Sequence, residues 1–162
     1  MLPTAHKIVP ECQRASDHVT LDYDARFLRR KVLTTATGTQ VLVDLPKTTS
    51  LADGDALETT GGILIGIRAA PEPLLQITGK DLHRIAWHIG NRHAPCQIEQ
   101  DRLLIQRDHV MAQMLTQLGA DIREVVEPFT PEGGAYGHGR THGHDHDAQH
   151  GPSPAHGHTH DH

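Results

Sequence analysis

The chain has 162 residues, 36% of them hydrophobic, enough for one medium domain or two small ones if those residues cluster, and they cluster before residue 130. A net charge of −5 with neutral histidines offers no footprint for a phosphate backbone, and 3% aromatic content leaves few faces on which bases could stack, which excludes a nucleic-acid partner. Cys12 and Cys96 form no C-x-x-C, so a disulfide scaffold or zinc knuckle is not indicated and a reducing compartment is expected.

The start, "MLPTAHKIVPECQRASDH", lacks the basic and apolar regions of a signal peptide, and no run of about eighteen apolar residues occurs. The expectation is a soluble, cytoplasmic protein. From residue 6 to about 68 the signals are those of short strands, "HKIV", "HVTLDY", "KVLTTA", "TQVLVDL" and "GILIGIR", separated by Gly, Pro and Asp. "VLTTATGTQVLVDL" reads as a hairpin turning at Thr37, Gly38 and Thr39, and "LADGDALET" as a turn around Asp53, Gly54 and Asp55. Both are ordinary turns without chemistry. "AAPEP", Ala69 to Pro73, is expected to break any strand and to mark a boundary.

The second half changes rhythm. "LLQIT" reads as a strand, followed by a helix in "DLHRIAWHIG" with Leu82, Ile85, Ala86 and Ile89 on one stripe and Gly90 as its stop. "CQIEQ" and "RLLIQ" are strands meeting near Asp101. A second helix opens on Asp108 as N-cap, carries Met111, Met114, Leu115 and Leu118 at helical spacing, and stops at Gly119; "DIREVVEP" is the last strand. The predicted class is α+β: an all-β domain over 1–72, a ferredoxin-like β-α-β-β-α-β domain over 73–132, and a disordered histidine-rich tail over 133–162. Fold alone assigns no function.

Nine of the fifteen histidines fall after residue 137, in "HGRTHGHDHDAQHGPSPAHGHTHDH". His138, His142, His144, His146, His150, His156, His158, His160 and His162 alternate with Gly, Asp, Thr and Ala, so successive imidazoles on a chain with no core can turn onto one ion. Imidazole with carboxylate suits nickel, zinc and copper(II), and the lack of thiolate argues against copper(I) and iron–sulfur clusters. A purification tag would be a homopolymer, and a merely solvating tail would draw on Ser, Glu, Lys and Gln; metal capture fits better.

In the folded half, His83, Trp87 and His88 lie off the first helix's apolar stripe, His93 falls in the turn "GNRHAPC", and His109 lies opposite the second helix's stripe. Trp87 marks either an interface or a residue covered by the neighbouring domain. Each histidine alone is more often surface decoration or a helix cap than a ligand. His88 and His93 stand five apart with no glutamate base between them, unlike H-E-x-x-H, and neither a phosphate-binding glycine loop nor G-x-S-x-G is present. Catalysis therefore has no support. A metal site becomes plausible where two copies meet on a two-fold axis, because one histidine then counts twice. Cys96 reads as a small buried hydrophobe.

"WHIGNRHAPCQIE", "DHVMAQMLTQLGADI" and "EPFTPEGGAYGHG" ahead of a histidine-rich end together resemble the UreE family, the urease accessory proteins of the nickel-metallochaperone type. The amino-terminal β half is consistent with that family's peptide-binding domain. The resemblance implies a cytoplasmic homodimer carrying Ni(II), with Zn(II) or Cu(II) also bound in vitro, and with the urease accessory GTPase and apo-urease as partners. It implies metal between the copies at His93, secondary ligands at His88 and His109, and a tail that gathers further nickel. The family's H-x-H near the second helix is departed from: "RDH" keeps only His109, and Arg107 is no ligand. The alternative is cytoplasmic storage or buffering of nickel or zinc without a delivery partner. Since imidazole binds metal only as the neutral ring, nickel retained in equilibrium dialysis should collapse as the pH falls through about 6.5; retention at pH 5 would mean that imidazoles are not the donors.

Overall fold

A computed structural model describes residues 1–133, and the expected histidine-rich tail, 133–162, lies outside the described residues from 134 on. The first half forms six strands, β1 (Thr4–Val9), β2 (Asp17–Leu21), β3 (Phe27–Thr34), β4 (Gln40–Ser50), β5 (Ala56–Thr59) and β6 (Leu64–Ala69), in one sheet of order β2-β6-β5-β1-β4-β3. The pairs β1·β4 and β2·β6 are parallel and the others antiparallel. Alternation along β4 turns Val41, Val43 and Leu45 into a core shared with Ala5, Val19, Leu33, Leu57, Ile65 and Ile67.

Both expected turns are present. Gly38 takes a φ of 87°, which glycine adopts without steric cost, and Thr35 and Thr39 close the hairpin through a 2.8 Å backbone bond. In the second turn Asp55 accepts from the Ala52 amide at 2.9 Å and Asp53 from the Ala69 amide at 2.8 Å. This turn leads straight into β5, a strand the sequence does not announce because its four residues are too few to display alternation.

The second half contains β7 (Pro71–Thr78), α1 (Leu82–Asn91), β8 (Gln97–Ile98), β9 (Leu103–Gln106), α2 (His109–Gln117) and β10 (Asp121–Pro128). Its antiparallel sheet has the order β10-β7-β9-β8, so the predicted β-α-β-β-α-β succession is observed. "AAPEP" interrupts the strands only at Ala70: β6 ends at Ala69 in the first sheet, and β7 starts at Pro71 in the second and pairs with β10 from there to Thr78. β9 pairs only with Leu74 to Ile77, so Pro71 and Pro73 lie on a stretch flanked by one neighbour, where proline is tolerated.

Odd-numbered residues of β7 and β9 face the helices: Leu75, Ile77, Leu103 and Ile105 enclose Ile85 and Ile89 of α1 and Met111 and Leu115 of α2. The opposite face holds Leu74, Leu104 and Phe129, against which Tyr23 of the first half packs edge-on at 5.3 Å. Around this contact the two halves are tied by polar bonds. Arg26, 2% exposed, donates from Nε to the Leu51 carbonyl, from Nη1 to Leu21 and from Nη2 to Phe129. Burial pulls its pKa down, while Glu72, Asp53 and Asp22 oppose that shift, and Glu72 accepts the Tyr23 amide at 2.8 Å. Saturating a buried guanidinium with carbonyls offsets its desolvation.

Asp17 opens β2 and ties it to the β3–β4 hairpin. Hydrogen bonds from the Thr35 and Thr37 hydroxyls hold its carboxyl down at about 2. A depressed carboxylate contributes stability that is complete above its ordinary value of 3.8 and is lost as the pH falls toward about 2. Acid unfolding followed by circular dichroism should therefore be less steep between about pH 4 and 2 in Asp17→Asn than in the parent; identical slopes would show that the carboxylate adds nothing.

Candidate metal centre

The apolar stripe Leu82, Ile85, Ala86 and Ile89 seats α1 on the sheet, and its last turn determines where His93 stands. Gly90 is not the stop. The helix continues through Gly90 to Asn91, Arg92 is the C-cap, and the left-handed residue after it is His93, with φ 58°. The His93 amide donates to the Gly90 carbonyl at 3.0 Å and the Ala94 amide to Ile89 at 3.4 Å, the paired bonds of a Schellman ending. α2 ends in the same way with the usual residue: Gly119, φ 89°, donates to Thr116 at 3.0 Å, and Ala120 to Leu115 at 3.1 Å. Glycine takes the left-handed position at no steric cost, whereas a side chain there costs roughly 1–2 kcal/mol. Position 93 carries that cost with an imidazole.

The sequence did hold a signal for this ending. Proline commonly follows a helix end by one to three residues, and Pro95 places that end at Arg92 rather than before Gly90.

His93 is exposed, at the rim of a cleft of about 410 Å³ lined by Pro95, Ile105, Arg107, Asp108 and Met111. Asp108 caps α2 as expected, accepting the Met111 amide at 3.0 Å. His109 is exposed on the first turn of α2, beside Gln113 at 3.4 Å, and does not line the cleft. His88, one helical turn before the cap, is half-buried and stands edge-on to Trp87 with ring centroids 5.0 Å apart. Trp87 is 62% exposed, so the reading in which the neighbouring domain covers it falls, and Val110 beside His109 is 61% exposed. His83 is exposed along the same helix, off the stripe that packs on the sheet. His138, His142, His144, His146, His150, His156, His158, His160 and His162 lie outside the described residues.

Among the described residues no three His, Cys, Asp or Glu side chains converge as a metal group. Cys96 packs into the helix–sheet core, and burial pushes its thiol up to about 11, which makes it a poor nucleophile at neutral pH. Arg107 is engaged elsewhere: Nε donates to the Leu74 carbonyl at 3.2 Å, Nη2 to Val125 at 3.1 Å, and Nη1 lies 3.7 Å from Glu124. It braces β7 against β10. One chain thus offers exposed imidazole donors and no enclosing set among the described residues.

The model of the UreE urease accessory protein C-terminal domain matches residues 72–162, and that of the N-terminal domain residues 2–70. The chain belongs to the UreE family. It is 67% identical over 132 residues to the urease accessory protein UreE of Ruegeria pomeroyi, covering 82% of this chain and 89% of the relative. To the protein of that name from Rhodobacter capsulatus it is 58% identical over 136 residues, 84% of this chain and 86% of the relative. The protein from Cereibacter sphaeroides is 55% identical over 148 residues, 90% and 81% of the two chains. UreE is a family of accessory proteins, not of enzymes. Among the described residues no helix is long and apolar enough to cross a membrane.

The left-handed cap separates the imidazole's chemistry from its structural cost. His93→Gly should keep the fold and raise stability toward denaturant by up to about 1 kcal/mol, while Gly119→Ala should lower it by about as much. A loss of stability in His93→Gly would mean that the imidazole itself stabilises the turn.

Proposed function

We propose that the chain is a carrier that binds Ni(II) and delivers it to apo-urease during urease maturation, as a cytoplasmic homodimer working with the urease accessory GTPase. The observation that carries this reading is the exposed imidazole of His93 on a strained helix cap, at a cleft rim where the described residues bring no other ligand set together. An incomplete set is completed from outside. A second copy facing the first across a two-fold axis would count His93 twice, with His88 and His109 as secondary ligands. Exposed Trp87 and Val110, on the helices that carry those histidines, give such a contact apolar area to bury.

Borderline nickel(II) suits imidazole donors, and zinc(II) or copper(II) would bind the same groups in vitro. Cys96 packs into the helix–sheet core and is not among the proposed donors. Open coordination positions allow a recipient's ligands to enter, so release needs no unfolding; an enclosed four-ligand site would instead hold its metal as a structural part. The tail histidines then act as a reservoir. The β half, residues 1–72, is assigned the partner contact, residues 73–132 the metal and the dimer, and residues 133–162 the reservoir.

Calorimetric nickel titration of a chain ending at Gly137 should give about one ion per dimer, as one shared ligand per protomer requires, and His93→Ala should abolish it. Retention of that ion in His93→Ala would remove the central assignment. Binding without transfer to apo-urease would leave storage as the function.

A further inference from the structure

Cations gather on one edge of the first sheet. β3 carries Arg29, Arg30 and Lys31 in sequence, and Lys47 stands opposite Arg29, in the part of β4 that the register skips between Asp44 and Thr49. All of them are exposed, and none pairs with a carboxylate; the ion pairs among the described residues belong to Lys7, Arg102 and Arg107. Asp44, which the register sets opposite Arg30, is the only acid on the two strands. Since the whole chain stands at −5 with neutral histidines, this edge attracts anions that the protein on balance repels.

The edge is also open. β3 ends the sheet order and pairs with β4 alone, so from Arg30 to Thr34, where the ladder is regular, alternate residues turn N–H and C=O groups away from β4. Contact with β2, the other edge, is made by the hairpin beyond β3, where the Ala36 amide donates to the His18 carbonyl at 2.9 Å. Lys31 reports the same opening. It takes the core side of the pleat, in register with buried Val43 and two residues before buried Leu33, yet it is exposed. A core-side position stays in solvent where no further strand covers it.

We infer that the free edge of β3 takes up an acidic, extended segment of a partner protein as an added strand. This gives a surface and a partner chemistry to the contact assigned to the β half, and no metal enters it. A strand added to the sheet lies about 4.8 Å from β3 and brings its side chains to about 5 Å from those directly opposite. Asp or Glu there reaches Arg30 and Lys31. Because these two point to opposite faces of the pleat, a pair of consecutive acidic residues meets one cation on each face. The same cations turn away a second copy of this chain, whose β3 would set like charges against each other. Only a polypeptide supplies the complementary ladder of N–H and C=O groups, and the stretch from Arg30 to Thr34 holds no aromatic face on which a base could stack.

The test measures fluorescence anisotropy of a labelled peptide, in which Glu-Glu pairs alternate with Val-Thr pairs, as the full-length protein is added. The peptide should bind, more weakly as salt rises, and amide exchange from Arg30 to Thr34 should slow. Arg30→Glu with Lys31→Glu should weaken binding roughly tenfold or more, and the neutral Arg30→Gln with Lys31→Gln by less; the neutral pair carries the comparison if the reversed one does not fold. Glutamine in place of glutamate, or proline in place of valine, should abolish binding. Equal binding of the proline peptide would leave a bare positive patch and overturn strand addition, and equal binding of the glutamine peptide would overturn the acidic preference. Binding untouched by either double substitution would place the site elsewhere, and no binding at all would end the proposal. Self-association of the parent without peptide binding would give the edge to a second copy, and displacement by a single-stranded oligonucleotide at lower concentration than by unlabelled peptide would give it to a phosphate backbone; both overturn it. Nickel titration of the same chains should be unchanged, so failure of the edge and failure of the carrier reading are told apart.

Discussion

The geometry of the candidate centre depends on the burial of Ile89. That side chain is inaccessible to solvent between α1 and the sheet, and its carbonyl accepts from both Arg92 and Ala94 at the helix end. Ala94 packs into the same core, supplying the apolar contact that accompanies a Schellman ending. Burying a side chain of this size is worth roughly 1.5–3 kcal/mol, which exceeds the roughly 1–2 kcal/mol cost of a left-handed residue with a side chain. The core thus holds His93 in a conformation that its own backbone disfavours, with the residue exposed beyond the helix end.

How much of this was legible in the sequence varies with the length over which a signal repeats. α2 could be read in full, because Asp108, the apolar stripe and Gly119 agree. The hairpin at Gly38 was equally plain. β5 and β8, with four and two residues, are too short for any period and owe their existence to neighbours already in register. "AAPEP" marks the passage from one sheet to the other, but the break is shorter than expected, because proline argues against a strand only where both flanks are paired, and pairing is a property of the sheet. Gly90 misled because a glycine near a helix end is the commonest stop, whereas the chain places that conformation three residues later on a histidine. The exposure of His93 agrees with its place in a turn, and that of His109 with its place off the second helix's apolar stripe. Their relation to Arg107, Cys96 and the segment after Phe129 did not emerge, since no local pattern encodes a carbonyl accepted from thirty residues away.

The junction between the halves shows the same division. Tyr23, Arg26, Glu72 and Phe129 carry no motif, yet they join a mixed six-stranded sheet to the back of a four-stranded one through a ring contact and a guanidinium on three carbonyls. A buried arginine of this kind tolerates no loosening, because removing one acceptor leaves a desolvated charge incompletely bonded. The junction is therefore specific in orientation, and it also fixes Phe129, from which the chain runs on toward β8.

Electrostatics bear on which side of His93 would suit a cation under the proposed function. The cleft behind the ring contains Arg92 and Arg107, and the amino-terminal end of α2 adds the positive pole of its dipole. Asp108, the carboxylate there, already accepts the Met111 amide, and Glu124 faces Arg107. A divalent ion drawn into the cleft would approach two arginine residues of its lining, whose positive charge repels it. On the outward side it meets only solvent and whatever ligands a second molecule brings. The cleft would thus act against retention of an ion bound, as proposed, at His93, leaving it where another set of donors could reach it.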